Sequence, residues 1–387
     1  MSFKERLLGD LLTFQRGFDI TKADQSSGVV PIVSSSGISS FHNEAKVQGP
    51  GVVIGRKGTL GTVHYIDRDY WPHDTTLWVK DFKGSHPRFI AYFLSTLKLE
   101  NFDTGASNPT LNRNHLHKIK VLAPDPAEQK KIAAILAALD DLLAINQRRI
   151  TLLESMAEEI YREWFVRMRF PGHTDCPFEK GLPKGWTILP LSSLVSDVKK
   201  PVRKSDLLNH SRYVGLEHIS RKSVALTMFG IPESADSDKL AFASGDILFS
   251  KIRPYLHKVA LAHFDGVSST DSLVLRAKNE LYTEFSLFTV FSETFIDLAN
   301  TASKGTKMPR ADWHFLKQLR VSTPNDALLD GFVKIVRPML DEIAALIQVN
   351  EILTEQARSL LPRLISGKLS VDHLDIKHPL SMQTDQA

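Results

Sequence analysis

Apolar residues recur along this chain at spacings of four and three over one long stretch: Ile132, Leu136, Leu139, Leu143, Asn146, Ile150, Leu153, Ala157, Ile160 and Trp164. That alternation keeps a narrow seam on one helical face and predicts a partner helix. The pattern returns 204 residues later as Val336, Leu340, Ile343, Ile347, Asn350, Thr354, Ala357, Leu361 and Leu364, with Asn350 at the place of Asn146. Two long seamed helices packed on each other bury both stripes. The matched asparagines then meet near the middle of an antiparallel pair, and a hydrogen bond between them sets its register.

The remaining segments alternate differently. Gly51 to Tyr65 places two β-branched runs around a glycine-rich turn and predicts a hairpin with Arg56 and Lys57 at its tip. Gly55, Gly58 and Gly61 imitate a phosphate loop but lack the Lys-Ser/Thr ending and a following helix, so they read as turn glycines. A strand is expected over 75–80, an amphipathic helix over 87–98, a polar loop over 101–114 and a strand leading to Pro124. Asp125, Pro126 and Glu128 form the opening of the first seamed helix, with Asp125 and Glu128 as a capping box. Phe170 to Trp186 reads as a linker from its three prolines and three glycines.

The second half repeats this grammar. Asp246 to Leu261 is again strand, basic tip and strand, offering Lys251, Arg253, Tyr255, His257 and Lys258. Thr270–Arg276 answers Asp74–Lys80, and Gly305, Pro309, Leu316, Val321 and Pro324 answer Gly105, Pro109, Leu116, Val121 and Pro124 at an offset of 200. The offset reaches 204 in the helix, so four residues are gained near Pro338, which is expected to begin or kink that helix. The fold class expected is α+β: two pseudo-repeated mixed α/β bodies (1–125 and 169–325) and two long antiparallel coiled-coil helices (126–168 and 326–369), with a tail at 370–387.

Charge sharpens the picture. The net +4 divides into 15 basic against 12 acidic residues over 1–125 and 20 against 14 over 180–325, while the helical segments 126–179 and 326–387 are slightly acidic. Two basic bodies attract a polyanion, and a pseudo-twofold pair of them suits duplex DNA, whose half-sites lie about one helical turn apart. The first seam is about 50 Å long at 1.5 Å per residue. A single cysteine, Cys176, excludes an internal disulfide or a cysteine zinc cluster, and no apolar run reaches membrane-spanning length. A cytoplasmic protein with no membrane role is the expectation.

Candidate base readers are Lys251, Arg253, Tyr255, His257, Lys258, Lys304, Lys307 and Arg310 in the second body, and Arg56, Lys57, Asn108, Asn112, Arg113 and Asn114 in the first. Arginine and lysine match guanine, asparagine suits adenine, and tyrosine stacks or touches thymine methyls. The competing reading makes the same residues turn formers and phosphate clamps. His115 and His117 have metal-compatible spacing without a carboxylate or cysteine cluster beside them, so no metal is expected. Asn108-Pro-Thr110 fails the methyltransferase signature at its third position, no Walker loop exists, and Pro124-Asp125 with Glu128-Gln-Lys130 imitates nuclease fragments too closely spaced to serve.

Several stretches resemble type I restriction-modification specificity subunits. Glu128-Gln-Lys-Lys-Ile132 running to Leu139-Asp-Asp141, Thr151 to Ala157 and Glu163-Trp-Phe-Val166 are similar to their central helical region. Leu182-Pro-Lys-Gly-Trp186 resembles the start of their second recognition domain, and Leu361 to Gly367 their closing helix. Lys251 to Leu256 and Lys304 to Arg310 are similar to segments of their recognition domains. The resemblance implies a non-catalytic DNA-reading subunit whose two target recognition domains each read half of a split, asymmetric site. It implies that the helices set the gap and dock two methyltransferase subunits, with restriction/translocase subunits joining. Adenine N6 methylation with S-adenosylmethionine, and cleavage driven by ATP with Mg, would then belong to those partners, leaving no cofactor in this chain. A stand-alone bipartite DNA-binding regulator and a coiled-coil scaffold without nucleic acid are the competing readings.

Overall fold

The structure is a computed structural model that describes residues 3–103, 109–303 and 308–383. It divides into two compact units, residues 1–145 with 351–387 and residues 146–350. The division falls inside both long helices, Pro126–Tyr161 and Asp326–Ile365, beside Asn146 and Asn350.

In the first unit, strands Thr13–Arg16, Thr76–Asp81, Gly51–Gly55 and Val63–Ile66 form an antiparallel sheet in that order. Gly51–Gly55 is buried at every position, as a continuous apolar run in mid-sheet should be. The helix Pro87–Thr96 opens on its proline and sends Phe89, Ile90, Phe93 and Leu94 into the core. Ile132, Leu136 and Ala137 of the first long helix and Leu364 of the second join the same cluster. Gln129 is buried with both ends of its amide bonded: Oε1 accepts from His86 N and Nε2 donates to Pro124 O, each at 3.0 Å. Asp125 supplies the carbonyl for the first helical turn, and its carboxylate pairs with Arg6 at 2.9 Å and Lys4 at 3.5 Å.

The tail, for which the sequence offers no counterpart, is packed in this unit. Val371 and Met382 are almost fully buried, Lys131 Nζ donates to Asp372 O at 2.7 Å, and Arg88 Nη2 donates to Ser381 O at 3.0 Å. Lys130 and Lys131 therefore line a cleft with residues 372–376 and His378.

The second unit repeats the main sheet. Val195–Asp197, Ser272–Ala277, Ile247–Ser250 and Val259–Leu261 stand in the same order as their counterparts in the first unit, and Thr187–Pro190 pairs with Arg320–Thr323 as Lys4–Leu7 pairs with Lys120–Ala123. The other sheets diverge, with three strands in the first unit and four in the second. Here the two long helices run antiparallel: Asn146 Nδ2 donates to Asn350 Oδ1 at 2.9 Å, and Arg149 pairs with Glu342. Glu154 ties the first helix to the body by accepting from Ser223 Oγ, Val224 N and Ala225 N at 2.7, 2.7 and 2.8 Å. Arg337 grips the buried Glu284 carboxylate through Nε at 2.6 Å and Nη2 at 3.2 Å, a bidentate pair that raises the arginine pKa.

Three sequence expectations change. Pro338 sits inside a continuous 40-residue helix and does not begin it. Its side chain is exposed, so the missing hydrogen bond lies toward solvent, while Phe332, Val336, Leu340 and Ile343 anchor the turns on either side. The end of the first seam departs from α geometry, since Arg162–Val166 forms a π turn, in which the Phe165 ring centroid lies 4.8 Å from that of Phe332 and 5.0 Å from that of Phe285. The stretch 170–186 is no loose linker: Phe170 and Trp186 are buried at its two ends with ring centroids 5.6 Å apart.

Candidate nucleic-acid interface

Each unit builds its basic surface from the tip of one hairpin and the segment that follows a distant helix. In the first, Gly58 and Gly61 take positive φ at the tip, and a side chain at Gly55 would lie 2.0 Å from Thr59 O, so these are turn glycines. Arg56 N and Lys57 N donate to Thr75 O, while Arg56 O accepts from Leu111 N at 3.1 Å. That last bond draws residues 109–114 against the tip. Asn112 caps the one-turn helix Arg113–Leu116, its Oδ1 accepting from Asn114 N at 2.9 Å. Lys57, Asn112, Arg113 and Asn114 are all exposed, and Arg56 is half-buried.

The second unit uses the same junction with other side chains. Lys251 N donates to Asp271 O and Lys251 O accepts from Ala311 N, both at 2.9 Å, while Arg253 N donates to Pro309 O at 2.8 Å. Asp312 takes the capping place of Asn112, accepting from His314 N at 2.9 Å. Arg253 and His257, both at positive φ, bracket the turn Pro254–Leu256 and push Tyr255 outward, where it is 54% exposed. Arg310 reaches Asp271 at 3.1 Å.

The nominated residues therefore divide. Arg56, Lys57, Asn112, Arg113 and Asn114 come together in one unit, and Lys251, Arg253, Tyr255 and Arg310 in the other. His257 is removed from the surface: it is buried against the Phe291 ring, and its ring nitrogen Nε2 lies 2.6 Å from Phe291 O. Burial lowers its pKa. Lys258 is half-buried, with its ammonium on Leu216 O, and burial lowers its pKa as well. Asn108, Lys304 and Lys307 lie outside the described residues.

Sequence reading missed Arg16, which faces the first tip because its strand pairs with Thr76–Asp81. No local motif announces it; only the strand order does. Of the two histidines, His117 accepts from Phe14 N through Nε2 at 2.9 Å, and its ring stacks on that phenyl group. Among the described residues, Asp19, His73 and Asp74 do cluster within 4.8 Å, but Asp74 already pairs with Arg16 at 2.9 Å and His73 at 3.1 Å. No helix of the described residues is long and apolar enough to cross a membrane.

Comparison with known proteins agrees with this architecture. Residues 2–155 match the family model described as type I restriction modification DNA specificity domain. The type I restriction enzyme EcoDI specificity subunit of Escherichia coli is 26% identical over 347 residues, covering 82% of this chain and 76% of that protein. The MjaIX specificity subunit of Methanocaldococcus jannaschii is 24% identical over 293 residues, covering 71% and 66%. The crystal structure of a type I restriction-modification system S subunit from M. genitalium shares the fold, with a TM-score of 0.65 at 14% identity over 94% of this chain and 96% of that one. Residues 2–155 thus carry the match to the type I specificity domain, the chain as a whole is similar to type I restriction enzyme specificity subunits, and it shares the fold of a solved S subunit.

Proposed function

We propose that this chain selects the DNA sequence for a type I restriction-modification enzyme, each recognition domain binding one half of a bipartite, asymmetric site. The observation that carries the reading is the shared junction, in which a hairpin tip is hydrogen-bonded to the segment before a capped one-turn helix in both units. The framework is the same and the presented groups differ: Lys57, Asn112 and Asn114 in one, Lys251, Arg253, Tyr255 and Arg310 in the other. One scaffold bearing two sets of side chains suits two unlike half-sites.

The long helices set the distance between half-sites and dock two methyltransferase subunits, with restriction/translocase subunits joining that core. Supporting this, Leu142 and Ile145 in the first unit, and Leu152 and Met156 in the second, are about half exposed on one helix. A stand-alone regulator leaves such residues without a use. Adenine N6 methylation with S-adenosylmethionine, and ATP- and Mg-dependent cleavage, belong to the partners. The test is co-expression with the methyltransferase subunit of the same system, followed by mapping of modified adenines. A stoichiometric complex and a methylated split site are expected; isolation of the chain alone with no modified split site would overturn the reading.

A further inference from the structure

Arg16, Arg56 and Arg113 line one cleft of about 350 Å³ in the first unit, with Leu77, Thr110 and Asn112 among its walls. Of the three guanidinium groups, Arg16 is answered by Asp74 at 2.9 Å. Arg56 Nη1 is enclosed and has no hydrogen-bond partner among the described residues. An arginine cannot escape by losing its proton, and an enclosed charged donor without an acceptor is unfavourable. Burial first, and then the neighbouring Arg16 charge, lowers the Arg56 pKa.

The second unit shows that the fold does not require this imbalance. At the place of Arg56 stands Lys251, whose Nζ donates to Thr270 O, and at the place of Thr75 stands Asp271, which pairs with Arg310. Charge there is answered from within. In the first unit it awaits an acceptor from outside.

The chemistry of that acceptor follows from the walls. The Asn112 carbonyl is already taken by Asn114 N, and the three arginines donate only. A guanine edge offers acceptors but no formal charge, and does nothing for the repulsion among three guanidinium groups. A phosphate oxygen pair meets both demands.

We propose that the Arg16–Arg56–Arg113 cleft seats one phosphodiester of duplex DNA, fixing the register of the first recognition domain on the backbone without reading a base. This rests on the DNA-reading function proposed above and assigns the cleft to positioning, leaving sequence choice in this unit to Lys57, Asn112 and Asn114.

The test measures binding of the full chain, with its methyltransferase partner, to a duplex carrying its methylated split site and to an unrelated duplex, across a salt series. For R56A, affinity is expected to fall about ten-fold on both duplexes alike, and the slope of log K against log salt to become shallower by about 0.9. R113A alters an exposed side chain, so it reports on the cleft even where R56A perturbs folding, and it should do the same. R56K should retain the slope. Loss of discrimination between the duplexes with an unchanged slope would assign the cleft to a base edge and overturn the proposal. Unchanged binding and slope in both alanine variants would overturn it too. A thermal shift with inorganic phosphate at constant ionic strength that R56A abolishes, with DNA slopes unmoved, would assign the cleft to a free anion instead. Failure of the wild-type complex to bind any duplex would sink the functional reading itself, a result distinct from all of these.

Discussion

Asn146 Nδ2 donates to Asn350 Oδ1 at 2.9 Å between the two long helices, with Asn146 only 7% exposed. Two amides at matched places in a mostly apolar seam meet in one antiparallel register, and sliding either helix by a turn breaks their hydrogen bond.

N146A should therefore destabilise the chain by about 1 kcal/mol, the value of a partly buried hydrogen bond. Replacing both residues by leucine should leave the denaturation midpoint equal or higher while weakening register, seen as domain-swapped dimers by light scattering. A double variant that is both less stable and strictly monomeric would contradict this role.

Pro338 lies exposed within the second long helix. P338A supplies the missing N–H for the Lys334 carbonyl and removes the ring clash, so the urea midpoint should rise by an amount equivalent to about 1–3 kcal/mol. A lowered midpoint would mean that the packing of Val336 and Leu340 depends on a bend the proline imposes.

His263 carries a pH dependence of definite sign. Its Nε2 is enclosed without a partner among the described residues, and burial, with the Arg212 charge adding to it, pushes its pKa down from 6.5 to about 4. Between those values the unfolded chain binds the proton and the folded chain does not. Stability is thus fully present above pH 6.5 and declines as pH falls toward about 4. The difference in unfolding free energy between wild type and H263Q should shrink across that window, and a constant difference would refute the assignment.

Periodicity alone specified the two long helices, their partnership and the matched asparagines, because a seam of this length has one economical way to be buried. The repeat between halves likewise made the two hairpins and the strands before each long helix legible, since alternation and turn residues are local properties. The family resemblance rested on such local strings. What the sequence could not settle was which basic residues face outward together. His257 and Lys251 stand in one short run, yet one is held in the core by Phe291 and the other sits at the junction with Ala311. Arg16 and Arg56 are 40 residues apart and meet only because strand order places Thr13–Arg16 beside Thr76–Asp81. The packed tail was equally invisible, its burial of Val371 and Met382 depending on a surface assembled from distant segments. Hydrophobic spacing dictates which face of an element is buried; the company a polar side chain keeps is decided by long-range pairing, which only the tertiary structure supplies.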